Sequence, residues 1–231
     1  AWKDSDGSHK FLDVVASVDQ VRICIECKAF RNEQLVFLLP ANAAKSETAD
    51  IYAIHVGRVQ DSTRRPIVAH GLCRTKPLTP ESVYCVAVGK SSNKESRLIE
   101  KEAQPLVRGA EEYAKDRCRQ IGASDHSTVC VPVLLTTASL FVAEYDPLNI
   151  SLTDGIYQAR NEHIRPVPFI RLTKEFTAHS STRTRLRTVI VAQAEHLKEL
   201  VHDLGNVRVG DHVDTWTTIY DSVGGDVDRK R

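Results

Sequence analysis

The sequence predicts an α/β fold, with a mixed central β-sheet flanked by helices. Three observations predict it. Short β-branched-rich runs recur along residues 11–88. Residues 95–121 instead place apolar side chains every three or four positions. Thr128–Thr136 is nearly all apolar, as a strand buried on both faces requires.

In order along the chain, residues 11–18 (FLDVVASV) and 21–30 (VRICIECKAF) read as an antiparallel hairpin, although the intervening Asp19-Gln20 is not a favoured two-residue turn. Residues 35–39, 51–56, 66–69 and 83–88 are further strand candidates, separated by Pro, Asn, Ser and Lys clusters. In 95–121, Leu98, Ile99, Ala103, Leu106, Val107, Ala110, Ala114, Cys118 and Ile121 form the apolar stripe of an amphipathic helix. Pro105 should kink it or open its second half, and Gly122 is a suitable stop. Thr128–Thr136 and Ser139–Tyr145 follow as strands, then 167–172, then 188–191 leading into a short helix that ends near Leu204 and Gly205. Residues 1–205 are therefore expected to form the main domain, and 206–231, polar with scattered aromatics, a peripheral extension.

Composition narrows the function. The chain has 231 residues, 42% apolar and 26% charged, which excludes disorder as its main state. Lys and Arg number 31 against 30 Asp and Glu, so any electrostatic partner must be sought in local patches. No apolar run approaches the ~20 residues of a membrane span. Cys24, Cys27, Cys73, Cys85, Cys118 and Cys130 mostly interrupt apolar runs and are expected to be free thiols. Residues 1–7 contain no apolar signal core, and the expected location is cytoplasmic.

Chemistry is concentrated in the first hairpin. Period-two geometry puts Asp13, Val15 and Ser17 on one face of its first strand, and Arg22, Cys24, Glu26 and Lys28 on one face of its second. A loop of two or of four residues gives one register: Ser17 opposes Arg22, Val15 opposes Cys24, and Asp13 opposes Glu26. Two carboxylates at about 5 Å repel by roughly 3 kcal/mol at an effective dielectric of ~20, so a positive group should lie between them. Mg²⁺, which favours one or two carboxylates plus water, suits that place, and Lys28 could hold the attacking water or offset charge developing on phosphate oxygens.

Asp13, twelve intervening residues, then Ile25-Glu26-Cys27-Lys28 on an apolar strand resembles the PD-(D/E)XK, restriction-endonuclease-like nuclease superfamily. In that family the (D/E)XK strand is followed by a helix and another core strand, which would match 95–121 and 129–135. Residues 30–93 would then be a β-rich insertion. The resemblance implies a Mg²⁺- or Mn²⁺-dependent endonuclease acting on DNA in preference to RNA. It implies Asp13, Glu26 and the Cys27 carbonyl as metal ligands, and Asp13, Glu26 and Lys28 as catalytic residues. The family's Pro is replaced by Leu12, and its first helix and strand have almost no room before Phe11.

Other signals are weaker. Cys24 and Cys27 form a C-x₂-C, but residues three apart on a strand face opposite ways, which argues against zinc. The triplet Asp211-His212-Asp214 lies in a polar stretch of a kind that often holds such residues, and it is assigned no role. The glycines form no phosphate loop or dinucleotide fingerprint. Residues 160–187 hold Arg160, Arg165, Arg171, Lys174, Arg183, Arg185 and Arg187 against Glu162 and Glu175. Such a segment could track a phosphate backbone, chiefly through Arg171, Lys174, Arg183 and Arg185. Its bland reading is a solvated strand face carrying Arg183, Arg185 and Arg187. The alternatives to a nuclease are a catalytically inactive nuclease-fold module binding nucleic acid or a partner protein, and a β-rich scaffold. A homodimer or larger complex stays open.

Overall fold

The computed structural model describes residues 2–3, 9–30, 34–40, 49–58, 64–75, 80–88, 98–120, 127–145, 164–177, 184–205, 207–209, 217–221 and 225–226. Strands β1 (Trp2–Lys3) and β2 (His9–Lys10) form a small ladder of their own. The hairpin follows as β3 (Val14–Val18) and β4 (Val21–Lys28), with Ser17 opposite Arg22 and Val15 opposite Cys24 as the alternation demands. Its turn works because Asp19 takes the left-handed conformation (φ 48°), one that Asp tolerates better than most residues, and its carbonyl accepts a 3.0 Å bond from the Arg22 guanidinium.

Strands β5 (Gln34–Pro40), β6 (Ala49–Arg58), β7 (Pro66–Thr75), β8 (Glu81–Ser82) and β9 (Tyr84–Val88) come next, followed by helix α1 (Leu98–Gln120), β10 (Thr128–Thr136) and β11 (Ser139–Tyr145). After β12 (Ile164–Pro166), the hairpin β13 (Phe169–Thr177) and β14 (Thr184–Gln193) leads through a tight turn at Ala194–His196 into α2 (Leu197–Leu204). The strands β15 (Arg208–Val209), β16 (Thr217–Asp221) and β17 (Gly225–Asp226) end the chain. The protein is thus mixed α/β, mostly strands, with two α-helices among the described residues.

An eleven-stranded mixed sheet runs β17-β16-β7-β6-β10-β14-β13-β8, with β15 added on β7, and with β4 and then β3 added on β10. The stretch after residue 205 contributes edge strands on β7, and Ile219 and Tyr220 are buried there. Residues 30–93 do not stand apart either, because β6 and β7 belong to the large sheet while β5 and β9 join β11 and β12 in a second, four-stranded one.

The centre of the large sheet is β10. Along one side it pairs in parallel with β4 from Val129 to Thr136. On its other side it meets two partners in succession: antiparallel β6 up to Cys130, then parallel β14 from Val133. Pro132, which has no amide hydrogen, falls between them, where a ladder is being handed from one strand to the next. The Tyr52 amide, past the last β6–β10 pair, donates instead to the Thr188 hydroxyl at 3.0 Å, itself 3.0 Å from the Thr173 hydroxyl.

The two sheets share a corner. Strands β4 and β10 are parallel neighbours in one, and their successors β5 and β11 are parallel neighbours in the other. The chain passes between sheets just after Lys28 and Thr136, which are themselves paired. Helix α1 and the smaller sheet cover one face of the large sheet, burying Leu35, Phe37, Ile99, Leu106, Leu140 and Leu172 among others. Leu200 and Leu204 of α2 cover the opposite face over Ile23, Val131 and Ile190. Pro105 sits on the exposed side of α1, and the helix runs through it as one element.

Candidate active site

The C-terminal ends of parallel β4 and β10, the corner between the sheets and the first turns of α1 converge on one place. Cys24 is fully buried in a cluster that includes Ala110, Ala114 and Cys118 of α1, which turns this face of β4 towards the helix. Glu26 and Lys28 continue it to the corner. The Lys28 ammonium lies 3.0 Å from a Glu26 carboxylate oxygen and 3.0 Å from one of Glu102 on α1. Burial alone would pull this ammonium down, but hydrogen bonds to Glu102 and Glu26 raise its pKa above the usual lysine value.

Asp13 lies one residue before β3, and its Oδ2 accepts a 2.8 Å bond from the Cys27 amide. Its carboxylate therefore takes the place of a ladder partner for β4. The exposed Cys27 thiol is pushed up by burial and then by the negative charges of Asp13 and Glu26. The repulsion expected between the carboxylates is answered by protein groups: Lys28 for Glu26, and a backbone amide for Asp13. Among the described residues no three or more His, Cys, Asp or Glu side chains are grouped to hold a metal ion.

Glu102 was not singled out by the sequence. The signal was there, since it borders the apolar stripe between Ile99 and Ala103, where a carboxylate at a half-buried helix edge needs a cation.

The basic segment is mostly turned inward. Arg171 is buried, donating 2.5 Å to the Asp50 carbonyl and lying 3.4 Å from Glu81. Lys174 is 2.6 Å from Glu100 and over the Tyr84 ring at 5.2 Å. Arg165 is exposed, 3.8 Å from Glu144. Arg185 is half-buried, and Arg160, Arg183 and the triplet at 211–214 lie outside the described residues. The solvated-face reading of β14 is corrected at Arg187, which is 2% exposed, whereas its neighbour Leu186 is 39% exposed.

Arg187 is buried because α1 supplies a carboxylate to meet it. Its Nη2 is 3.0 Å from Glu111 Oε1 and 2.5 Å from His70 Nε2. A guanidinium can only donate, so His70 Nε2 accepts and the imidazole proton is assigned to Nδ1, a buried atom with no hydrogen-bond partner among the described residues. Burial, opposed by Glu111 and reinforced by Arg187, lowers His70 to about 4. Burial opposes the Glu111 charge too, yet its carboxyl is held down at about 2, with the Arg187 guanidinium donating to it at 3.0 Å. This network is a structural tie between α1, β7 and β14.

None of the six cysteines, all among the described residues, is in a disulfide. No helix among the described residues is long and apolar enough to cross a membrane. Set against family models, curated proteins and solved structures, the chain matches none of them.

Proposed function

We propose that this chain is a Mg²⁺-dependent nuclease that hydrolyses phosphodiester bonds of DNA, on a core resembling the restriction-endonuclease-like fold. The observation that carries the reading is the Lys28 ammonium held 3.0 Å from both Glu26 and Glu102, with Asp13 tied to the same strand. The location supports it, since ligands of α/β sheets gather beyond the C-terminal ends of parallel strands. So does the chain order, in which the strand bearing Glu26 and Lys28 is followed, after β5 to β9, by α1 and then by a parallel neighbour, β10.

Asp13, Glu26 and the Cys27 carbonyl are hard oxygen donors of the kind Mg²⁺ takes alongside water. When bound, the metal would supply Lewis-acid stabilisation of charge on phosphate oxygens. In this reading Glu26 would help to hold the metal, and Glu102, 3.0 Å from Lys28, keeps the ammonium in place. Lys28 then offsets charge that grows only as water attacks phosphorus. Arg183 and Arg185 supply the contact with the phosphate backbone.

The test is a cleavage assay on single-stranded, nicked and duplex DNA with Mg²⁺ and Mn²⁺, using wild type and Lys28→Ala protein of equal helicity. Wild type should cut, and the variant should lose turnover on the order of 10²-fold with DNA affinity nearly intact. Equal turnover would remove Lys28 from the reaction. Mg²⁺ should raise the wild-type melting temperature, and Asp13→Asn should abolish that shift. A second reading, a module that binds without cutting, is favoured by the fact that Lys28 and Asp13 are already partnered. It predicts DNA binding with no divalent-dependent cleavage.

A further inference from the structure

One face of β4 carries Arg22, Cys24, Glu26 and Lys28, and α1 runs back along it. Glu102 meets Lys28 at one end. At the other, Tyr113, Ala114 and Cys118 pack with Cys24 and Cys130, and Cys130 is the ladder partner of Arg22. Tyr113 and Arg117, four positions apart, share a side of the helix and stand beside the Arg22 end of the strand. Burial, then the thiols of Cys130 and Cys24, push the Tyr113 phenol up, while the charges of Arg117 and Arg22 oppose the rise. Both guanidiniums therefore act on one ring.

Neither cation is met by a carboxylate among the described residues. The Arg22 guanidinium donates at 3.0 Å and 3.1 Å to the carbonyls of Asp19 and Val21, which are neutral. Arg117 is half-buried, and its Nε, shielded from solvent, has no hydrogen-bond partner. The acids on the same turns of α1 are held elsewhere, Glu112 at 2.9 Å from Lys115 and Asp116 by Arg119. A guanidinium drawn part-way out of water without an anion is costly, and an external anion with several acceptor oxygens removes that cost.

We propose that Arg22, Tyr113 and Arg117 hold a backbone phosphate of a nucleic-acid strand, a contact additional to those of Arg183 and Arg185. The choice of nucleic acid rests on the nuclease reading above. Guanidiniums only donate, in a fork that matches two phosphate oxygens, and the phenol hydroxyl can donate to a third. Six residues at about 3.3 Å each put this notch roughly 20 Å along β4 from Lys28. The phosphate it takes therefore flanks the cut, and the contact serves affinity.

The experiment is fluorescence anisotropy with dye-labelled DNA of about 20 nucleotides, single-stranded and duplex, in EDTA and over a range of about 50 to 200 mM salt. The proteins are wild type, Arg22→Gln, Arg117→Gln and Arg117→Lys, with Lys198→Gln as a control on exposed α2 surface across the sheet. Either of the first two changes should weaken binding about fivefold or more at low salt, and should flatten log K against log salt by about 0.9 for duplex or about 0.7 for single strands. Arg117→Lys should keep most of the slope, and Lys198→Gln all of it. An unchanged slope in either Gln variant at 22 or 117, an equal loss in Lys198→Gln, or no saturable DNA binding by wild type would each overturn the proposal. Lys28→Ala protein should bind as wild type does. A slope lost with Arg117→Gln in a protein that cuts no DNA would uphold this phosphate site and sink the nuclease reading alone.

Discussion

At the scale of single residues, Arg187 depends most on its surroundings. Replacing it with Met leaves Glu111 buried without its cation, which should destabilise the fold by about 3–5 kcal/mol in urea titrations. Adding Glu111→Leu should recover most of that loss, because an apolar pair replaces an ionic one. A double variant no more stable than the single one would show that the pair is needed for more than charge balance. Gly57 is constrained differently, since a Cβ there would stand 2.4 Å from Cε1 of the buried His55. Gly57→Ala should therefore lower stability by about 1–3 kcal/mol, and His55→Ala introduced beside it should relieve the added strain. Alternation alone singled out Asp13, Glu26 and Lys28, and the ladder keeps the expected register from Val14 to Val18, while Asp13 lies beyond it and accepts from the Cys27 amide. The sequence also held a hint of Glu111, an acidic residue four past Val107 and three before Ala114 on the buried stripe. It could not show His70 as its partner, because that contact is made by strands far apart in the chain.

Among the elements, α1 was the most legible, since a 3.6-residue period survives any tertiary context that buries one face. Pro105, expected to kink the helix or open its second half, lies inside α1, which is one element from Leu98 to Gln120. Its ring lies on the exposed side, where no packing is lost by removing it, and the missing amide leaves one carbonyl of the preceding turn without its helical bond. Pro105→Ala should stabilise the protein by about 1–3 kcal/mol, seen as a higher melting temperature. An unchanged melting temperature would mean that the turn is already adapted to the proline. Strand β14 was legible as a strand but not in its facing. Alternating Arg and apolar residues resemble a half-wet ladder, yet α1 carries Glu111 to the Arg187 side and leaves Leu186 to solvent. Alternation identifies the two faces of a strand, and only the neighbouring layer decides which of them is inside.

For the molecule as a whole, buried neutral imidazoles set an acid limit. His55 and His70 are each lowered from 6.5 to about 4, chiefly by burial, so the unfolded chain takes up their protons first as pH falls. Stability should decline between about pH 6.5 and 4, by on the order of 3 kcal/mol for each group. Glu111, lowered from 4.5 to about 2, contributes stability that is present above pH 4.5 and lost as pH falls towards 2. Urea midpoints at pH 7.5 and 5 test the first window, and equal midpoints would mean that the imidazoles are not buried neutral. Most strands of the large sheet were legible, but β8 and the edge strands β15, β16 and β17 were not, and neither was the order, because β10 draws its partners from β4, β6 and β14. That handover beside Pro132 has a consequence for synthesis on the ribosome. Until the chain has been made as far as Gln193, the second half of β10 has only β4 beside it, and Val133, Leu134 and Leu135 present an open apolar edge. Folding must wait for a late strand to close an early sheet, which makes it slow and leaves the nascent chain dependent on protection from aggregation. A fragment ending before Thr184 should accordingly fail to fold and should precipitate, whereas the full chain stays in solution.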